Sequence, residues 1–272
     1  MTGAQAAHCG SVSAISLGLP VSTAIPEAKG ILPKALFVGK APISGKLKQR
    51  FVNEIESITM LALARSANTG LADGKLIPEV LIIGLKLTAK ATEIPSEVIE
   101  LIAGQRKSGI VFACVREVPF EGRTREECAF AVRRAQPGCA GHTLIYHVYA
   151  GDWQPAGECQ LELTGSTIDE LWASLCSQAI LGTADFENLD ARIVQHGETA
   201  RLEADVDKLT RDHQRAKNPA QRNGIYAKLH KAKTQLAQMR EVQGVTVEPC
   251  SHCLRPWSPY MRWASSRWLL TS

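Results

Sequence analysis

The sequence predicts an α+β protein with a mainly antiparallel or mixed sheet and packed helices, followed by a C-terminal antiparallel helical hairpin in the manner of a coiled coil. Three observations carry this. Two nearly continuous apolar runs, "PEVLIIGLKLTA" at 78–89 and "IVFACVRE" at 110–117, flank a helix-patterned stretch, as buried strands do. Shorter alternating runs follow at "TLIYHVYAGDW" and "CQLELTG". Beyond residue 199, two charged stretches repeat apolar residues at spacings of four and three, and Asn218-Pro219 separates them.

The 272 residues are 45% hydrophobic and 21% charged, which suits one sizeable core with appendages. No run approaches the roughly 18 apolar residues of a membrane span, and no basic region precedes an apolar one at the start. The expectation is a cytoplasmic protein without a membrane partner. Residues 1–16, small and polar, read as a disordered leader, 17–181 as the α+β domain, 182–198 as a flexible linker, 199–241 as the hairpin and 242–272 as an irregular tail containing Cys and Trp. Six of the eight cysteines are scattered singly and read as free thiols.

Taken in order, Pro20, Pro26 and Pro33 punctuate 17–40 and predict an extended surface segment. Ser44 then caps a helix whose apolar stripe is Leu47, Phe51 and Ile55, and a strand follows over 58–65. The turn formers "NTGLADGK" lead to the first buried strand, its antiparallel neighbour. Pro95 and Ser96 open a helix that turns Val98, Ile99 and Ile102 inward, with Gly109 beyond its end. After "IVFACVRE" the charged "EVPFEGRTREE" reads as a loop, and shorter strands follow at "CAFAVRR" and in the two alternating runs. "STIDELWASLCSQAI" is an amphipathic helix with a capping box at Ser166 and Asp169, and closes the domain near Leu181.

In the arm, Leu202, Val206 and Leu209 form one seam and Ile225, Leu229, Leu236 and Met239 another. Asn218 is a good N-cap and Pro219 a good first helical residue, so a second helix starts there and folds back. Gly224 weakens that helix near its start by about 1 kcal/mol. The same seams would also zip two chains into a homodimer. Residues 219–240 hold five cations, Arg222, Lys228, Lys231, Lys233 and Arg240, and no acid. Such a helix neutralises nucleic-acid phosphates, or else pairs with the four acids of the first helix as a solvated coiled-coil face. Tyr226 is the arm's one residue for base stacking.

Other chemistry is thin. Cys250, His252 and Cys253 are soft ligands suited to zinc, but a structural site needs four and none stands at the usual spacing, so the expectation is a tail without metal or cofactor. His142 and His147 flank a strand, His147 reading as a core or rim histidine. No nucleophile elbow, phosphate loop, dinucleotide fingerprint or metalloprotease motif occurs. A metal nuclease is suggested only by Glu79 and Lys86, and the residue two before Lys86 is Gly84, which holds no metal.

The ordered signatures "LGLPVSTAIPEAKGILPKALF", "IESITMLAL", "IPEVLIIGLKL", "IPSEVIELIAGQRKSGIVFACV", "IYHVYAGDWQ" and "TIDELWASLCSQAI", with the proline-broken helical pair, resemble the bacterial domain of unknown function family 4391. The resemblance covers Leu17 to Glu241. It implies a genomic setting beside ATP-dependent helicases and DNA methyltransferases of restriction or phage-defence systems, and brings no catalytic residues and no cofactor. Three functions are therefore expected, in this order. The first is a non-catalytic accessory or adaptor subunit that holds a helicase or DNA methyltransferase by its hairpin. The second is a module that binds DNA or RNA with the basic second helix, and the third a divergent nuclease-like domain lacking a complete metal site.

Overall fold

The computed structural model describes residues 5–39, 43–136 and 144–242, and the chain forms two compact units, Met1–Gly197 and Glu198–Ser272. The first begins with a hairpin of β1 (His8–Cys9) and β2 (Val12–Ser13), in the stretch expected to be a disordered leader. Ala7, Cys9, Val12 and Ala14 are fully buried. Small side chains let this hairpin lie directly on the sheet: a Cβ added at Gly84 would sit 2.4 Å from the Cβ of Cys9. The proline-punctuated segment follows as an irregular strap carrying two single-turn helices, α1 (Glu27–Gly30) and α2 (Ala35–Val38). Bridges at Ala24↔Ala62 and Ile31↔Thr59 lay it along the free edge of the sheet, so that edge is covered.

Ser44 accepts the Leu47 N–H and starts α3 (Gly45–Glu54), which runs into β3 (Ile55–Ala64). A short turn, α4 (Ser66–Thr69), leads to β4 (Val80–Leu87), then α5 (Ser96–Ala103) crosses over to β5 (Gly109–Phe120). β6 (Arg123–Ala135), β7 (Tyr146–Ala150) and the two-residue β8 (Gln154–Pro155) complete the sheet. Its order is β3-β4-β5-β6-β7, with β8 beside β6; β4 and β5 are parallel and the other pairs antiparallel. The sheet is thus mixed and mainly antiparallel, in an α+β fold.

Alternation along β4 sends Leu81, Ile83 and Leu85 to one core, with Phe51, Ile99, Ile102 and Phe112. Ile82 points to the other, with Val12, Leu17, Val111, Val132 and the α6 (Ile168–Leu181) residues Leu171 and Leu175. Both faces are therefore covered, which explains the unbroken apolar run. Each large side chain so buried contributes about 1.5–3 kcal/mol relative to exposure. All five cysteines among the described residues, Cys9, Cys114, Cys128, Cys159 and Cys176, are buried free thiols.

Four local expectations change. The charged loop over 117–127 is the outer half of a long hairpin, in which β5 and β6 pair out to Phe120↔Arg123 around Glu121-Gly122, both at positive φ (49° and 75°). "CQLELTG" is not a strand, because its backbone bonds elsewhere: Leu161 N–H to the Leu17 carbonyl and Glu162 N–H to the side chain of Gln178. Gly104, not Gly109, follows α5, and Gly109 opens β5. Thr167 rather than Ser166 caps α6 by accepting the Glu170 N–H, while Glu170 reaches back to Ser166.

The expected linker is largely helix. α7 (Leu189–Arg215) begins inside the first unit, where Leu189 and Ile193 are buried and Asp190 pairs with Arg134 at 2.7 Å. In the second unit α7 ends before Asn218, whose side chain accepts the Ala220 N–H, and α8 (Pro219–Val242) returns antiparallel to it. Arg240 meets Glu203 at 2.7 Å near one end of the hairpin, and the rings of His213 and Tyr226 lie 6.0 Å apart near the other. Gly224 sits within α8 without interrupting it. The tail with Cys250, His252 and Cys253, and also Cys139 and His142, lie outside the described residues.

Candidate functional site

The seam predicted for the arm is occupied within the hairpin. Ala216, Leu229, Ala232 and Leu236 are buried, while Leu202, Val206, Leu209, Ile225 and Met239 are half-buried. Two helices packed by such a stripe leave only their flanks and outer faces for other work.

Those faces carry the five cations, and they are not equivalent. Arg240 is tied to Glu203. Arg222, Lys228, Lys231 and Lys233 are exposed and make no ion pair among the described residues, so cross-hairpin pairing neutralises one of the five. The 3.6-residue repeat sets Lys228 and Lys231 on one flank of the seam and Arg222 and Lys233 on the other. Lys228 and Lys231 share a shallow groove with Lys208, Asp205 and Asp212. Tyr226, 58% exposed, stands between the rings of His213 and His230.

The nuclease pair does not converge. Glu79 precedes β4 and Lys86 lies near its far end, so about seven residues of strand, roughly 23 Å, separate them. Glu79 is bound by Arg65 and Ser108. Burial opposes its charge, yet those partners hold its carboxyl below the usual range. Lys86 lies 3.0 Å from Glu117 and 3.5 Å from Glu126, and Glu126 also accepts the Ser11 N–H at 2.7 Å. The hydrogen bond that Lys86 donates to Glu117 leads in raising the Lys86 pKa. This fully paired cluster clamps the tip of the β1–β2 hairpin to the sheet. His147 is an exposed rim residue bonded to Gln136, and no three His, Cys, Asp or Glu side chains among the described residues are grouped to hold a metal.

The sequence model of the domain of unknown function DUF4391 matches residues 17–236. The chain belongs to this family. No curated protein and no solved structure matches it. The DUF4391 match starts after the β1–β2 hairpin and ends within α8, so it takes in the sheet, its helices and most of the arm. No helix among the described residues of this DUF4391 chain is long and apolar enough to cross a membrane. Four further cations, Arg106, Lys107, Arg133 and Arg134, escaped sequence reasoning: they form two dipeptides far apart in the chain that only the sheet brings beside one another.

Proposed function

We propose that this DUF4391 protein is a non-catalytic accessory subunit of a DNA-processing system, and that its arm engages the nucleic-acid backbone through α8. One observation carries the reading: α8 has no acid between Pro219 and Arg240, and four of its five cations are exposed without an ionic partner among the described residues. A solvated coiled-coil face neutralises its charges across the pair; this one does so once. With 24 residues, α8 extends about 36 Å, long enough to follow several phosphates. The scarcity of aromatic side chains on the arm favours duplex backbone over stacked single strands. A helicase or DNA methyltransferase subunit is the protein class that would act on the nucleic acid so held.

The experiment is fluorescence anisotropy of the full chain with a duplex oligonucleotide across a salt series. Two phosphate contacts from one flank give a log–log salt slope of about −1.8, hence a loss of about 12-fold between 50 and 200 mM salt. Contacts from both flanks double the slope. Reversing Arg222, Lys228, Lys231 and Lys233 to Glu should abolish binding. Duplex affinity unchanged by that reversal overturns the reading. So does capture of a helicase or methyltransferase by the arm when no nucleic acid binds, an outcome that makes the hairpin a protein handle.

A further inference from the structure

We infer that the compact domain holds a second anion site, independent of the arm: a cleft beside the start of β5 and the end of β6 that takes a phosphate-bearing nucleotide unit, either a free mononucleotide or the terminal nucleotide of a strand. The cleft encloses about 840 Å³, within the roughly 300–1,000 Å³ usual for small-ligand sites. Arg106 and Lys107 line it from the turn after α5, and Arg133 and Arg134 from the last residues of β6, where they leave opposite faces of the strand, Arg133 toward α5 and Arg134 toward α7.

The cations are prepared to different degrees. Arg133 gives its Nε–H to Glu100 at 2.7 Å, and its guanidinium lies 3.8 Å over the ring of Tyr146. That holds the fork flat while its terminal nitrogens make no hydrogen bond among the described residues. Arg134 is anchored by Asp190. Arg106 and Lys107 are exposed and without ion pairs among the described residues. Four cations against Asp190 and Glu100 leave two without an ion pair; the nearby Glu79 is ion-paired with Arg65, and its charge is also felt by Arg106. Phosphate supplies the matching charge, and planar guanidinium forks suit its oxygens. Arg106 and Lys107 also lie just past the carboxyl end of α5, where cations complement the helix dipole, but that role asks nothing of Arg133 and Arg134 on a different element. Trp172 lines the same cleft with its ring packed against Gly109, and so supplies an aromatic wall for a base.

The test is calorimetric titration of the full chain with ATP, with the 5′-phosphorylated dinucleotide pTpT and with inorganic pyrophosphate. ATP or pTpT should bind, and the R106E/K107E variant, whose fold is checked by its melting curve, should bind roughly tenfold or more weakly. A preference for ATP identifies the free nucleotide as the occupant, and a preference for pTpT the strand end. The variant with all four unpaired α8 cations reversed should bind as tightly as the wild type, so failure here and failure of the arm reading are separable. Three results overturn the inference: neither nucleotide probe binds at millimolar concentration, R106E/K107E binds as wild type, or pyrophosphate binds as tightly as ATP and pTpT. A W172A variant that matches wild type on ATP and pTpT, while both exceed pyrophosphate, removes Trp172 from the site and overturns its assignment as the base wall.

Discussion

Replacing Asp169 by Asn takes a formal charge away from three backbone donors at once. The carboxylate, in the first turn of α6, accepts N–H groups from Lys75 (2.7 Å), Leu76 (3.1 Å) and Ile77 (2.8 Å), and so ties down the loop that enters β4. Asn keeps one acceptor oxygen and turns an NH₂ toward a backbone N–H. Hydrogen bonds to a charged group are worth about 1.5–3 kcal/mol; solvent reaches this carboxylate, and discounting for screening leaves about 1–2 kcal/mol. For a unit of this size that lowers the melting temperature by roughly 2–8 °C. Burial opposes the charge of Asp169, yet the three N–H groups hold its pKa below the usual 3.8. A depressed folded pKa stabilises above the unfolded value and loses that contribution as pH falls through the folded one. The stability gap between wild type and D169N, measured by denaturant unfolding, should therefore be full at neutral pH and shrink below about pH 4. A gap that is absent at neutral pH, or equally wide at low pH, refutes this account of the loop.

Gly84→Ala should cost about 1–3 kcal/mol, because the new methyl meets Cys9 and must lift the β1–β2 hairpin. In a Cys9→Gly background the same substitution should cost measurably less, and additive losses in the double variant would show that the close approach is not the cause. The buried thiols should resist alkylation in the native state at pH 8. Burial pushes Cys9 and Cys176 up to about 12 and raises Cys114 as well, so peptide mapping should find these three labelled only in denaturant.

Where structure follows from neighbours a few residues apart, the sequence alone determined it. The apolar run of β4, the inward Val98, Ile99 and Ile102 of α5, the Ser44 cap and the helix restart at Asn218-Pro219 each rest on local periodicity or a local hydrogen bond. The arm's cations were legible for the same reason, since residues three and four apart share a helix face. Tertiary structure decided what depends on a distant partner. Residues 5–14 look too small and polar to order themselves, yet Ala7, Cys9, Val12 and Ala14 are buried, and Gly84 leaves the gap that fits Cys9. The outer halves of β5 and β6 carry charge where a pattern wants apolar residues, and cross-strand pairs such as Arg116–Glu127 supply the compensation. "CQLELTG" alternates like a strand but bonds to Leu17 and Gln178, and 189–197 looks like linker until Leu189 and Ile193 meet the core. The cleft lies furthest from the sequence: its two cationic dipeptides, Arg106-Lys107 and Arg133-Arg134, stand 26 residues apart at their nearest (Lys107 to Arg133) and meet only because Val111 pairs with Val132 across the sheet.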